Sequence, residues 1–536
     1  MIFKYLVYLL QKNKQMPKFK DYNQGRHPAL FPLDLELLVP KKHLARQIDA
    51  VIDRIKLDRL QEVFSDEGAS SYHPQMMLKI IIYSYAKKNY SCRNIAAMLR
   101  QDVICMWLSG MQTPDFNTVN RFRSKYLIDV IEDVFTEVLM FLNEHGFIKF
   151  KDYFVDGTKL EADTRKHSQV WKSNTQRFKE AVQSRIKTLM AEIDKINSQE
   201  DKIYDNQDLP EIGEQSNINS DQVEAVARGI IEKINEKQES IKKEKIQKIK
   251  GKVSKLNKEK ESLKKYEEQE AILGTRNSYS KTDHDATMMR MKGTDELRPG
   301  YNAQISSENQ FVTNYSANQN AADSACFGEH LEKIIERGEA YTPDNYVGDC
   351  GYGSQENYDA LESAGINNYL KYQTFNNELD SSKKDDFFER DSYEYDSAGD
   401  FYICPNKVKL PYTETRETKT VNGYPQTFRV YVAESCANCP LKDKCTKSPG
   451  NRKLFINLKL ERHKKIAREN LHSEKGIEFR KRRGPEIETF FGDLKHNQQY
   501  RRIRLRGLKK ANLELGYLSI SYNLRKATIK LAKKAA

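Results

Sequence analysis

The chain has 536 residues, with 89 Lys and Arg against 76 Asp and Glu and a formal net charge of +13. That length exceeds one ordinary domain, and the basic excess points to a polyanionic partner, most simply nucleic acid. No apolar stretch is long enough to span a membrane. Its eight cysteines are too sparse for a disulfide framework and fit a reducing compartment.

The opening MIFKYLVYLL is apolar but short, and no small-residue cleavage site follows it. It reads as an extension over 1–25 rather than a signal peptide, with Met16 beginning a more ordinary polar N-terminus. Residues 26–150 read as a helical domain. Helices are expected over 75–88, over 91–101 with Ser91 as N-cap, and in one long element from Asn117 that carries Leu127, Ile131, Val134, Val138 and Leu142 and stops at Gly146. The first two, joined by a polar turn from Asn89 to Ser91, fit a helix-turn-helix or a plain bundle. Arg93, Arg100, Arg121, Arg123 and Lys125 fit DNA contact or a solvated face, and Trp107 reads as core.

The pattern then changes. DYFVD (152–156) reads as a buried strand that delivers Asp156 to its C-terminal end, where chemistry often sits in α/β sheets. Trp171 follows in a polar stretch and fits base stacking or plain packing. Over 174–273, Val182, Ile186, Leu189, Ile193 and Ile196 step as a heptad seam. After an acidic break at 199–220, a second helix carries Val223, Val226, Ile230 and Ile234, with Val253, Leu256 and Leu263 in register. The expectation is an inserted helical hairpin.

From 299 the period is that of strands. YNAQIS (301–306) and FVTNYSA (311–317) read as a hairpin about Ser307–Gln310. A helix over 322–337, a strand 345–349 ending in Asp349, a helix from Ser354 to Gly365 and a strand 367–372 follow. TDHDATMMRMKG (282–293) reads as a capped turn rather than a metal cluster. Residues 374–400 read as a linker or loop. Cys404, Cys436, Cys439 and Cys445 make a candidate tetrahedral zinc set, although Cys-x₅-Cys is wide for a paired knuckle. Cys92, Cys105, Cys326 and Cys350 read as buried or incidental.

The stretch RGPEIETFFGDLK (483–495) organises the rest. Gly484-Pro485 reads as a helix opening. Glu488, Phe491, Gly492 and Lys495 then share one face. The whole of 478–534 reads as helical and strongly basic. Three acids from two strands and a helix can hold two Mg²⁺ ions, because hard cations prefer carboxylate oxygen. Asp152, Glu161, Asp344, Glu486 and Asp493 lie close enough in sequence to substitute.

Several segments together carry a resemblance: FVDGTKLEA (154–162), RPGYNAQIS (298–306), VGDCGYGSQENY (347–358), RGPEIETFFGDLKHNQQYRRIRLRG (483–507), and, nearer the N-terminus, HPQMMLKIIIYSYAKKNYSCRNI (73–95) and PDFNTVNRFR (114–123). The chain resembles the DDE transposases of bacterial insertion sequences, in the group with a helical N-terminal domain and an internal cysteine cluster. The resemblance implies an α/β fold: a ribonuclease-H-like mixed-sheet core over 151–173, 274–373 and 478–536, a helical DNA-binding domain over 26–150, an inserted hairpin over 174–273, and a Cys-containing insertion over 374–477. It implies catalytic, Mg²⁺-binding roles for Asp156, Asp349 and Glu488, with Mn²⁺ as a substitute metal. DNA contacts are implied for Lys495 and Arg483, and the basic run adds Arg501, Arg502, Arg504 and Arg506. Arg483 departs from the pattern of related groups, which place an arginine where Gly484 stands and a tyrosine upstream of it. The implied partners are double-stranded DNA, as element ends and target, and a second copy of the chain on that DNA, in the bacterial cytoplasm at the nucleoid. The implied activity is strand cleavage and transfer. A catalytically inactive DNA-binding derivative and a nuclease on the same core are the alternatives.

Overall fold

The structure is a computed structural model and describes residues 19–20, 34–55, 71–201, 218–236, 243–292, 294–379, 393–420 and 422–534. The expectations for the opening MIFKYLVYLL and Met16, for most of 199–220 and for 380–392 lie outside these residues, while the described ends of the expected loop 374–400 hold a short helix, Phe375–Leu379, and a strand, Glu394–Asp396. The chain divides into two compact units, one of Met1–Asp163, Arg290–Glu296 and Gly300–Ala536 and one of Thr164–Met289 with Leu297–Pro299.

In the larger unit, helices α1 (Pro74–Ala86) and α2 (Cys92–Gln101) stand where the apolar pattern put them. The long helix expected from Asn117 is broken. A short helix, Phe116–Arg121, runs into a π-helical turn, Phe122–Tyr126, before α3 (Ile131–Glu144) begins. Arg123 lies within the break. Its guanidinium is buried and donates to Tyr90 O at 2.8 Å and Tyr85 Oη at 3.3 Å. Arg123 is therefore a core anchor, neither a DNA contact nor part of a solvated face. Gly146 ends the segment in the left-handed conformation, φ 69°.

The main sheet contains β1 (Asp152–Glu161), β2 (Leu297–Glu308), β3 (Phe311–Asn318), β4 (Asn345–Gly348) and β5 (Asn367–Leu370). These five lie in the order β5-β4-β1-β2-β3. The β1–β2 and β2–β3 pairs are antiparallel and the β1–β4 and β4–β5 pairs parallel. Asn309 and Gln310, both at positive φ, make the tight β2–β3 turn. Helices α4 (Phe327–Arg337) and α5 (Gln355–Ser363) follow β3 and β4, and Ser354 caps α5. Tyr153, Phe154, Val155, Phe327, Tyr346 and Phe479 belong to the core cluster of this region.

Helix α6 (Glu474–Gly492) begins well before Gly484-Pro485, so Pro485 lies inside it. Ser473 caps the true start by accepting from Gly476 N. An interior proline removes a helical hydrogen bond. Burial of Phe479, Ile487 and Phe490 on either side of it holds the helix together. The expectation of helix throughout 478–534 also fails. A π-helical turn, Asp493–Asn497, leads into an extended run to Gly507, and α7 (Leu508–Lys534) starts only there. RRIRLRG alternates, with Ile503 and Leu505 buried and Arg502, Arg504 and Arg506 exposed, which is a strand period rather than a helical one.

Helix α7 covers the outer strand. Asn523 pairs with both backbone groups of Val312 (2.9 and 2.8 Å), and Asn512 does the same at Ala317 (2.8 and 3.3 Å). Eleven helical residues rise about 16.5 Å and five strand residues span about the same, so both amides meet the strand in register. Gly516 makes the close approach possible: a Cβ there would lie 2.6 Å from Tyr315 Oη and 2.7 Å from Ile131 Cγ1.

The Cys-containing segment is a separate five-stranded antiparallel sheet, Glu394–Asp396, Phe401–Ile403, Lys409–Lys419, Pro425–Val432 and Lys453–Ile456, in sequential order.

Among its described residues the smaller unit holds three helices rather than the two of a hairpin, Lys172–Asp201, Ser220–Glu236 and Lys243–Leu273. Val182, Ile186, Ile193, Val223, Ile230 and Leu256 of the heptad pattern share one buried cluster. Trp171 ends a short strand, Gln169–Trp171, paired with Ser278–Ser280 and half-buried. Asp285 N donates to Asp283 Oδ1 at 3.3 Å, as a capped turn requires.

Candidate active site

Strand β1 does not end at Asp156. It continues to Glu161 because Gly157–Glu161 keep pairing with β2. On its other side the β4 ladder ends, with Phe154 opposite Val347. Two more residues along this parallel register place Asp156 beside Asp349, which leaves β4 as the N-cap of a short 3₁₀ turn and accepts from Gly351 N at 2.9 Å. The two acids therefore meet where one strand stops and its neighbour goes on.

Arg483 joins them. Its Nη2 is 3.1 Å from Asp349 Oδ2 and 3.5 Å from Asp156 Oδ2. Burial raises the Asp156 carboxyl above the usual range and the Asp349 charge adds to this, while Arg483 and Lys292 oppose it. Glu488 sits on the same helix as Arg483 but is exposed. Its carboxylate folds back over Gly484, 3.8 Å from where a Cβ would stand. Among the described residues it has no hydrogen bond or ion pair. The three acids do not close into a set whose ligand atoms all lie within 4.8 Å of one another.

The neighbouring acids are largely committed elsewhere. Asp152 accepts from Asn345 Nδ2 at 2.7 Å and Glu161 pairs with Arg502 at 3.2 Å. Glu486 is buried, bound by Arg482 at 3.0 Å and by Gln310 N at 2.6 Å, and Asp493 pairs with Arg525. Asp344 is exposed. None of these bonds reaches Arg483.

A polar bed that sequence reasoning missed underlies Asp156. Asp323 accepts from Lys159 Nζ (3.0 Å), Asn302 Nδ2 (2.7 Å) and Gln304 Nε2 (3.0 Å). Burial works against its charge, but these donors more than offset it and hold the carboxyl below the usual range. Gly157 admits this bed, since a Cβ there would lie 2.5 Å from Asp323 Oδ1. The alternating polar residues of YNAQIS were the available signal: Asn302, Gln304 and Ser306 are fully buried on one face of β2.

Basic groups rim the acids. Lys495 bonds Thr158 Oγ1, two residues beyond Asp156. Burial pushes its ammonium down and nearby Lys292 adds to this, while Asp156 opposes it. Lys292, also missed, donates to Gly157 O at 2.9 Å and lies 4.0 Å from Asp156 Oδ1 with about half its side chain exposed. The arginine run is bound along the end of β1: Glu161 N donates to Arg501 O and Ile503 N donates to Glu161 O. Arg506 pairs with Asp163 at 2.9 Å, Arg504 lies 5.4 Å over the Tyr90 ring, and Arg501 is exposed.

Two other clusters bear on metals. Cys404, Cys436, Cys439 and Cys445 line one small cavity, and all are free thiols. Val408 N and Arg452 N donate to the Cys404 and Cys436 sulfurs, each at 3.3 Å. The four sulfurs do not gather three within 4.8 Å. Among the described residues the group that does is Asp359, Glu362 and His463. Its oxygens are already held: Asp359 by His463 (2.7 Å), Lys459 (2.8 Å) and Tyr424, and Glu362 by Arg462 (2.6 Å). That pattern is an ion-pair network.

Two family models match the chain. One, described as a transposase domain (DUF772), covers residues 33–125, and the other, described as a transposase DDE domain, covers 403–528. These define a transposase-type, DNA-acting class of protein. Together the two matches support a DDE transposase of insertion-sequence type. The search of curated proteins gave no match, and neither did the search of solved structures. Glu488, Lys495 and the arginine run fall inside the second matched span, whereas Asp156 and Asp349 fall outside both.

Proposed function

We propose that the chain is a Mg²⁺-dependent transposase that cuts DNA strands at insertion-sequence ends and joins the freed ends to target DNA. The observation that carries this reading is the pairing of Asp156 and Asp349 across the end of a parallel ladder, bridged by Arg483 from the helix that bears Glu488. The strand sequence β3-β2-β1-β4-β5 supports a ribonuclease-H-like core.

The donor set fits a hard divalent ion. Two carboxylates already share one cation, Arg483, and Glu488 stands unpaired on the same helix. Bound Mg²⁺ supplies Lewis-acid activation of the entering oxygen and stabilises the leaving one. Asp156, Asp349 and Glu488 would hold it, and Lys495, Lys292 and Arg501 would bind the phosphates flanking the cut. In the first step a water oxygen bonds to phosphorus, the bond to the 3′ oxygen breaks, and that oxygen leaves as a 3′-hydroxyl. In the second step the hydroxyl attacks a target phosphodiester in the same way. A pair of copies on the two element ends suits coordinated cutting. A cytoplasmic setting at the nucleoid goes with that activity, and free thiols suit a reducing compartment. The four-thiol cavity suits a structural Zn²⁺ once its sulfurs draw together.

The test is Mg²⁺-dependent cleavage of DNA carrying the element's own ends, with native protein and Glu488→Gln. Loss of cleavage with end binding retained supports the reading. Native protein that binds but never cuts supports an inactive DNA-binding derivative instead. Nicks without joined products, given pre-cut ends and a supercoiled plasmid, indicate a nuclease.

A further inference from the structure

At the end of the sheet where β1 begins, a hollow of about 510 Å³ opens beside the β2–β3 turn. Lys530, Lys533, Lys534, Phe147, Asn309 and Glu486 are among its walls. The three lysines fall at i, i+3 and i+4 on α7, so they share one face with neighbours about 5–6 Å apart. Aromatic rings perch two of the ammonium groups: Lys530 Nζ lies 4.7 Å over Phe311 and Lys534 Nζ 4.9 Å over Phe147. Among the described residues none of the three forms an ion pair. The one carboxylate in the wall, Glu486, is committed to Arg482 and Gln310 N. Lys526, just behind, donates to Gln310 Oε1 at 2.8 Å. Burial and the neighbouring Lys530 push it down to about 8, against the opposing pull of Glu486 and Asp493.

This place is distinct from the acids. Asp156 lies opposite Ile305, while the turn lies beyond Glu308, about 13 Å further along the strands. On α6, Glu486 and Glu488 differ by two residues and so point to nearly opposite sides. We infer that this lysine hollow is a second phosphate-backbone site, which holds a stretch of duplex DNA other than the stretch at the acids. The inference rests on the DNA-acting reading above. Lysine ammoniums on a helical face suit successive phosphates as point charges, without base readout.

The test uses the full chain and a 40-base-pair duplex of arbitrary sequence, with affinity measured against salt by fluorescence anisotropy. Lys530→Gln, Lys533→Gln and Lys534→Gln together are expected to flatten the slope of log K against log salt by about 2–3, whereas Lys→Arg at the same three positions keeps it. On a second duplex that carries the element's own end, hydroxyl-radical protection should shorten at its outer end and persist around the cut site. An unchanged slope and footprint in the Gln variant overturn the inference, as does lysine-dependent capture of polyglutamate with DNA binding unaltered. Native protein that binds no duplex at any salt overturns the DNA-acting reading itself.

Discussion

Arg483 and Asp349 form an ion pair at 3.1 Å, and the same Nη2 lies 3.5 Å from Asp156. One guanidinium is thus shared by two partly buried carboxylates. Arg483→Gln leaves them facing each other, and the metal-free protein is expected to lose about 1–2 kcal/mol, after allowance for the solvent that reaches Asp349. Mg²⁺ should restore more stability to the variant than it adds to native protein. Thermal melts with and without Mg²⁺ check this, and a variant indifferent to Mg²⁺ counts against a metal at these acids.

Glu486 and Glu488 separate structure from chemistry on one helix. Glu486→Gln breaks the buried pair with Arg482 and should cost about 1–2 kcal/mol while Mg²⁺-dependent cleavage survives. Glu488→Gln should change stability by less than about 0.5 kcal/mol and lower cleavage roughly 100-fold or more. Melts and single-turnover cleavage on both variants decide between them. The opposite pattern moves the third acid to Glu486.

His330 gives stability a pH signature. Its ring bonds Ser306 Oγ and Ser316 Oγ, each at 2.8 Å, and is wholly buried. Burial, helped by Lys333 and Arg337, holds it down at about 3 against an ordinary 6.5. Between these values the unfolded chain takes up a proton that the folded chain refuses. The contribution of His330 is therefore complete above about pH 6.5 and falls as pH drops toward 3, by up to about 1.4 kcal/mol per unit. Denaturant melts at pH 7 and 4.5 should show a smaller drop for His330→Gln than for native protein.

Gly516→Ala tests the seating of α7. The added methyl meets Tyr315 Oη and Ile131 Cγ1 inside van der Waals distance. A loss of about 1–3 kcal/mol is expected from overpacking, read as a lower midpoint in urea. A neutral result means that Tyr315 gives way.

The four-thiol cavity predicts bound zinc. Metal analysis of purified protein should find it, Co²⁺ should replace it with thiolate charge-transfer bands, and Cys439→Ser should weaken both. A chelator should lower the first melting transition. Protein free of zinc, with all eight thiols titratable and an unaltered melt after zinc is added, removes the site.

The strands of the sheet were legible because strand periods and turn residues are local. YNAQIS, FVTNYSA and the Ser354 cap announced themselves, and so did Asp349 as a residue leaving a strand. What sequence reading missed depends on distant partners. Pro485 looked like a helix start because its neighbours alone do not reveal that Phe479 and Ile487 are both buried. Arg123 looked like a surface base until Tyr85 and Tyr90 closed over it. Asp323, Lys292 and the hollow at Lys530 come from segments that share no motif and meet only when folded. RRIRLRG is the instructive case, since its alternation of arginine with Ile503 and Leu505 is a strand period within a basic run that reads as helix.

The two asparagines of α7 reach further than local hydrogen bonding. An outer strand ordinarily offers a ladder of open amides on which a second molecule can build. Here Asn512 and Asn523 already occupy that ladder at Ala317 and Val312. Growth of the sheet from one molecule into the next is blocked on that side. On that side the molecule can meet a neighbour only through side chains, because the backbone of the edge is already taken by its own C-terminal helix.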